Sequence, residues 1–261
     1  MLVAGARKPL IGVIHLPALP GAPRYGGDFS RVVESAVRDA GTLAEAGFDA
    51  VLVENFGDAP FFRGRVPTET VATMAVVADA VRRASGLPLG VNVLRNDGEA
   101  ALAVAVAAGA RFVRVNVLVG ARVTDQGVIE GAAAELLRTR ARLAAGGILL
   151  VADVDVKHSA PLGASDVAEE ALEAVERALA DVLVVTGART GSEADHATLA
   201  AVRAAVPGTP VWLGSGARTD TLAAWLAQVD GVIVGSALRI DGRAGGPVDP
   251  ARAMEFATAR G

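Results

Sequence analysis

Eight short apolar runs alternate with Ala-rich helical runs along the chain, and this alternation restricts the fold more than any other feature. The runs are Ile11–Leu16, Ala50–Asn55, Leu89–Leu94, Phe112–Val117, Ile148–Val154, Val182–Gly187, Val211–Gly216 and Gly231–Leu238. Most are nearly continuous in Val, Ile and Leu, the pattern of parallel strands covered on both faces. Between them, apolar residues recur at helical spacing. Val33, Ala36, Val37, Ala40, Leu43, Ala44 and Gly47 trace one stripe. Val167, Ala171, Leu172, Val175 and Leu179 trace a second, and Leu222, Trp225, Leu226 and Val229 a third. Thr219 and Asp220 read as the cap of that third helix, and Asp249-Pro250 as the cap and first residue of a last one. Strand–helix units recurring about every 30 residues predict an α/β fold of the (β/α)₈ TIM-barrel type, with an open doubly wound sheet as the rival. The 261 residues suit one such barrel, and no linker or low-complexity tract divides residues 1–261.

Composition narrows the function classes. A hydrophobic fraction of 52% excludes a disordered chain, while 4% aromatic residues imply a core of Ala, Val and Leu. No uncharged apolar run approaches the ~18 residues of a membrane span. A net charge of −4 and a pI near 5.5 disfavour nucleic acid or an anionic membrane as partner. With no cysteine there is no disulfide, thiolate metal site or cysteine nucleophile. Arg7 and Lys8 precede an apolar stretch that holds His15 and is interrupted by Pro17, Pro20 and Pro23, so it reads as a first strand and not a signal peptide. A cytoplasmic location is expected.

The rare polar residue types gather where this fold keeps its chemistry, at the C-terminal ends of strands. All four asparagines, Asn55, Asn92, Asn96 and Asn116, fall at or just past the second, third and fourth strands. Of two lysines, Lys157 follows the fifth strand; of three histidines, His15 ends the first and His158 follows the fifth. Tyr25, the one tyrosine, lies in the loop after the first strand. Asparagines favour turns anywhere. The loops at the opposite end hold none, so a binding face is expected at this one.

Gly214-Ser215-Gly216 ends the seventh strand and Gly235-Ser236 the eighth. Small residues in both turns allow backbone N–H groups to approach an anion, so a phosphate site is expected there. Neither GxGxxG opening a helix after a strand nor GxxxxGK[ST] occurs, which removes dinucleotide and P-loop readings.

Asp153-Val154-Asp155-Val156-Lys157-His158 forms the second constellation. Alternation puts Asp153, Asp155 and Lys157 on one side for as long as strand geometry lasts. The ammonium is then a structural ion pair, a substrate clamp or, if desolvated, a nucleophile. Two adjacent carboxylates would raise its pKa and keep it charged. Arg114 shares a strand face with Asn116, and inside a barrel it needs Glu54 or Asp153 as partner. Glu54, Asp153, Asp155 and His158 leave weak Mg²⁺ binding open, whereas zinc lacks any HxH or HExxH spacing. His196 reads as a surface residue.

Two loops extend the mouth. Phe56-Gly57-Asp58-Ala59-Pro60-Phe61-Phe62 carries three of seven phenylalanines and is a lid, a homo-oligomer contact, or packing against the barrel's own helices. The polar loop Thr124-Asp125-Gln126-Gly127 is placed to fold over the same opening.

The strings IGVIHLPALPGAPRYGG, VENFGDAPF, GVNVLRND, FVRVNV with VTDQGVIEG, ADVDVKHSAPL, VTGARTG, GSGA and DGVIVGSAL resemble the BtpA/SgcQ family over about Ile11 to Asp249. The founding name of that family comes from photosystem I biogenesis. The resemblance implies a phosphate-binding barrel of the ribulose-phosphate-binding type. Carried over by position, the blocks fall on His15, Glu54, Asn55, Asn92, Arg95, Asn96, Asp97, Arg114 and Asn116. They continue on Asp125, Gln126, Asp153, Asp155, Lys157, His158, Thr186, Thr190, Gly216 and Ser236. Val117-Leu118-Val119-Gly120 departs from the pattern by being apolar where a more polar loop is expected.

Two functions follow as expectations. One is an enzyme, a lyase or isomerase acting on a sugar phosphate or nucleotide-like metabolite. Lys157, Asp153, Asp155, Glu54, His15 and His158 would do its chemistry, and Asn55, Asn92, Arg95, Asn96, Arg114, Asn116, Asp125, Gln126 and Thr186 would bind substrate. The other is a non-catalytic assembly or regulatory factor binding a ligand or a protein.

Overall fold

The computed structural model describes residues 8–164, 166–187 and 195–260. Eight parallel strands close into a barrel: β1 (Leu10–His15), β2 (Ala50–Glu54), β3 (Leu89–Asn92), β4 (Phe112–Val115), β7 (Leu149–Val154), β9 (Val182–Val185), β10 (Val211–Leu213) and β11 (Gly231–Val234). Closure removes the open-sheet rival. Apart from β7, which ends at Val154 as expected, the strands are shorter at their C-terminal ends than the apolar runs suggest, because the chain there leaves the ladder to build the mouth.

Helices alternate with the strands: α1 (Phe29–Ala46), α2 (Thr68–Ser85), α3 (Gly98–Ala108), α4 (Ala133–Arg142), α5 (Val167–Leu172), α6 (His196–Ala205), α7 (Leu222–Gln228) and α8 (Pro250–Thr258). In α1 the expected stripe is buried through Ala36, Ala40 and Leu43, while Gly47 caps the helix in the left-handed region at φ 89°. Asp249 caps α8 as expected, accepting from the N–H groups of Ala251 and Arg252. Thr219 and Asp220 do not cap α7. Its N-cap position is Thr221, and Asp220 instead pairs with Arg218. Leu179 also leaves its expected stripe, exposed at φ 54° beyond a π-turn over Glu173–Arg177.

The core has two layers. Outward-facing strand residues pack under the helices, while Ile11, Val13, Leu52, Phe112, Val151, Val184, Trp212 and Ile233 fill the lumen. Phe112 and Trp212 meet edge-on there, centroids 5.8 Å apart. Each such fully buried side chain contributes about 1.5–3 kcal/mol.

Strand alternation then changes the chemistry of the lumen level by level. Above Ile11 and Val13 on β1 comes His15; above Ala50 and Leu52 comes Glu54; above Val151 comes Asp153. The register brings these tips together, since His15 pairs with Glu54 across β1–β2 and Glu54 with Asn92 across β2–β3. A polar layer therefore rests on an apolar plug.

A small antiparallel sheet, unforeseen from the sequence, covers one side of the mouth. A hairpin of β5 (Ala121–Thr124) and β6 (Gly127–Glu130) rises from the loop after β4, and β8 (Ser159–Pro161) after β7 pairs with β5. Val117, Ile129 and Val156 form its separate core, while Leu118 and Val119 join the main core under the helices, which together account for the apolar Val117–Val119 stretch.

Candidate functional site

The polar layer is organised by Arg114, which is 3% exposed. Its Nε and Nη2 donate to Asp153 Oδ1 and Oδ2 at 2.9 and 3.2 Å, and its Nη1 lies 3.4 Å from Glu54 Oε1. Both carboxylates named as alternatives from the sequence are thus its partners. Asn92 Nδ2 donates to Glu54 at 3.1 Å, and Asn116 Nδ2 to Asp153 at 2.7 Å. With those bonds made, Asn92 Oδ1 and Asn116 Oδ1 have no partner among the described residues. Two buried acceptors are left for donors from outside, a costly arrangement unless something fills it.

Above this layer opens a cavity of about 420 Å³. His15, Glu54, Asn92, Arg114 and Asn116 form its floor; Arg95, Asp125, Gln126, Lys157 and His158 surround them. Arg95 is held by a bond from Nη2 to the Lys157 carbonyl, 2.8 Å. Asp125 and Gln126 arrive on the tip of the β5–β6 hairpin. Phe56 and Phe61 close one side. Phe56 tilts against the His15 ring at 4.5 Å, so within the Phe56–Phe62 loop Phe62, 58% exposed, is the ring facing solvent.

A narrow recess of about 30 Å³ continues from the cavity between the turns after β10 and β11. Gly214, Ser215, Gly216, Gly235 and Ser236 line it, together with His15, Glu54, Arg114 and Lys157. Gly216 sits at φ 84°, a conformation that favours glycine. Among the described residues, the N–H groups of Gly216, Ser236 and Ala237 donate to no protein acceptor. Thr186, at the end of β9, is buried beside Gly214 with its hydroxyl unpaired among the described residues.

Lys157 differs from the expectation drawn from its neighbours. Strand geometry ends at Val154, and Asp155 turns into the left-handed region at φ 49°. Its exposed carboxylate pairs with Arg122 outside the site. Asp155 is therefore removed from the candidate catalytic set, and Lys157 loses one of the two carboxylates meant to hold its charge. The Lys157 amine makes no hydrogen bond or ion pair among the described residues. Burial, reinforced by Arg114 and Arg95 and opposed by Glu54 and Asp153, lowers its pKa from 10.5 to about 8. The shift runs opposite to the expected rise. His15 is likewise pushed well below the ordinary histidine value, first by burial and then by Arg239, Lys157 and Arg114.

Other expected site residues have structural partners. Asn55 Oδ1 accepts from the Leu94 N–H at 2.7 Å, and its Nδ2 donates to Asp58. Asn96 binds both backbone groups of Val117, at 2.8 and 2.9 Å, tying the loops after β3 and β4 together. Asp97 caps α3. Glu54, Asp153, Asp155 and His158 do not converge, and no group of three or more His, Asp or Glu side chains among the described residues could hold a metal ion. His196 is on the surface, stacked on Trp225. Thr190 lies outside the described residues.

Two arginines escaped the sequence reading. Arg122 on β5, 3% exposed, donates to Ser159 Oγ at 2.6 Å and pairs with Glu170 and Asp155, locking the segment that carries Lys157. Arg239 lies behind His15, with Nη2 3.1 Å from its Nδ1. Each stands as a lone charge inside an apolar run, in Gly120-Ala121-Arg122-Val123 and Ala237-Leu238-Arg239-Ile240, a sequence signal that was passed over.

Against known proteins, the BtpA family model matches residues 6–260. The chain belongs to the BtpA family. An uncharacterised protein of Thermococcus kodakarensis is 52% identical over 250 residues, covering 96% of this chain and 94% of that one. The photosystem I biogenesis protein BtpA of Synechocystis is 43% identical over 249 residues, covering 95% and 86%. Among solved structures, the N-(5′-phosphoribosyl)anthranilate isomerase of Pyrococcus furiosus matches with a TM-score of 0.57 at 13% identity, over 97% of this chain and 98% of that one. At that identity the likeness is one of fold alone, and the fold is a TIM barrel. No helix among the described residues is long and apolar enough to cross a membrane.

Proposed function

We propose that this BtpA-family chain is a cytoplasmic enzyme acting on a small phosphorylated metabolite, a sugar phosphate or nucleotide-like compound, by isomerase or lyase chemistry. The observation that carries this reading is that His15, Glu54, Arg114 and Lys157 line both the cavity and the recess. A ligand with its phosphate on the free N–H groups of the recess would set its reacting carbons beside these side chains. The free acceptors Asn92 Oδ1 and Asn116 Oδ1 suit substrate hydroxyls, which would donate to them. Glu54, or Lys157 as a free amine, would take the proton from a carbon next to a carbonyl. The same proton returned to the former carbonyl carbon, with the hydroxyl proton passing to the former carbonyl oxygen, completes an isomerisation. Arg114 and Asp153 hold the floor rigid, and a solved relative in fold works on a phosphoribosyl compound, as its name states.

The test is proton exchange. Incubating the protein in D₂O with a panel of ketose and aldose phosphates should erase the signal of the hydrogen next to the carbonyl for at least one of them, read by proton NMR. Glu54→Gln and Lys157→Met, made separately, identify the base, because the variant that lacks it should lose the exchange. No exchange, no new product and no thermal shift with any phosphorylated compound would overturn the reading.

A second reading, an assembly factor that docks a protein partner or a second copy of itself, is favoured by the name of the Synechocystis relative and by exposed Phe62. Loss of a stable complex on Phe62→Ser, with exchange chemistry absent, would select it.

A further inference from the structure

Arg239 follows a short 3₁₀ turn at Ser236–Leu238, just beyond β11, and is 1% exposed. Burying a guanidinium without a carboxylate is expensive, yet Arg239 makes no ion pair among the described residues. Its Nη2 donates to the Val13 carbonyl at 2.8 Å and lies 3.1 Å from His15 Nδ1, while Nε and Nη1 are unpartnered among the described residues. The Gly245 N–H approaches the same Nδ1 at 3.3 Å. A guanidinium and an amide N–H can only donate. Facing two donors, Nδ1 must be the unprotonated nitrogen of a neutral ring, and the single proton sits on Nε2. That nitrogen points to the site, 3.9 Å from Glu54 Oε2. The ring plane is set by Phe56, and Gly235 provides the room: a Cβ there would lie 3.2 Å from His15 Cε1.

We propose that Arg239 is a positioning residue that holds His15 as the neutral Nε2–H tautomer, so that His15 serves the site as a hydrogen-bond donor and not as a base. This rests on the proposed isomerase or lyase reading and refines it. The imidazole N–H would stabilise the oxygen on which charge develops, and the proton from carbon would go to Glu54 or Lys157. The groups facing the ring agree. Arg114 on β4, Lys157 after β7 and Arg239 after β11 all oppose a second proton on His15, with Glu54 on β2 the carboxylate beside it. Asp39 on α1 acts on Arg239 from behind.

The test needs no substrate, so its failure is separable from failure of the functional reading. Long-range ¹H–¹⁵N correlation spectra of the ¹⁵N-labelled full chain, with His15 assigned through His15→Gln, report the protonation of each ring nitrogen. The expected result is an unprotonated Nδ1 and a protonated Nε2, unchanged across about pH 5–8, where an ordinary histidine titrates. In Arg239→Met the His15 signals should move toward a tautomer average and a titration should appear, with Arg239→Lys restoring part of the wild-type pattern. A proton on Nδ1 in the wild type, or an Arg239→Met spectrum identical to wild type, would overturn the proposal. If neither variant folds, the wild-type spectrum alone decides the tautomer.

Discussion

Arg114 and Asp153 meet through two parallel hydrogen bonds, 2.9 and 3.2 Å, at the level where the lumen changes from apolar to polar. Both residues are 3% exposed, so neither charge can turn to water if the other is lost. Asp153→Ala should destabilise the protein by about 3–5 kcal/mol, because a buried guanidinium is left with only Glu54. Denaturant unfolding measures this. A loss under 1 kcal/mol would mean that water reaches the floor of the barrel.

Lys157 makes stability depend on alkaline pH. Its folded pKa, about 8, lies below the ordinary 10.5, so between these values the unfolded chain binds more protons than the folded one. Stability from this group therefore rises with pH through that window, and below pH 8 the folded state carries the full penalty of a poorly solvated ammonium. Lys157→Met should remove this rise and raise the melting temperature at pH 7. An unchanged alkaline profile would place the amine in water. Amine-selective labelling, followed by peptide mass spectrometry, should show half-maximal reactivity of Lys157 near pH 8, against the ordinary lysine range for Lys8.

His15 gives the complementary acid dependence. With its folded pKa depressed, stability from this group is present above the unfolded value of about 6.5 and is lost as the pH falls below it. His15→Gln should flatten the stability profile between roughly pH 5 and 6.5. Thermal melts across that range test this, and identical slopes for both proteins would show that the ring is solvated.

Anion binding at the recess is checked with inorganic phosphate. Phosphate should stabilise the wild type in a thermal melt, increasingly with concentration. In Gly216→Asp the effect should vanish, since a carboxylate would stand where the N–H groups await an anion. Full retention of the phosphate effect in that variant would move the anion elsewhere.

Arg122 is expected to act on the site without holding the barrel. Its partners Asp155, Ser159 and Glu170 belong to the loop after β7, to β8 and to α5. Arg122→Met should raise hydrogen exchange in residues 155–161 and in β5–β6 while leaving β1–β4 protected. Exchange spread evenly over the barrel would assign Arg122 a global role instead.

Much of the architecture was legible because its signals are local. Apolar runs such as Leu149–Val154 and the stripe through Ala36, Ala40 and Leu43 report burial on two faces and on one, and Asp249-Pro250 announces a helix start without reference to the rest of the chain. Alternation along single strands also places His15, Glu54, Arg114 and Asp153 inside the lumen, near its C-terminal end. The β5–β6 hairpin was hidden because Thr124–Gly127 reads as loop until Val156 and Ser159, far along the chain, supply a core for Ile129 and a pairing edge for Thr124.

The sequence by itself determined the order of elements, the end of the barrel that carries the chemistry and the residue types gathered there. Tertiary structure alone decided protonation and partnership. Asp155 and Lys157 are two residues apart, and simple alternation makes them neighbours. One backbone turn at φ 49° sends the carboxylate to Arg122 and leaves the amine poorly solvated among Arg95 and Arg114. Arg239 reaches His15 across 224 positions of chain. A pKa or a tautomer depends on distance and solvation summed over every nearby group, and those groups are assembled only when the barrel closes.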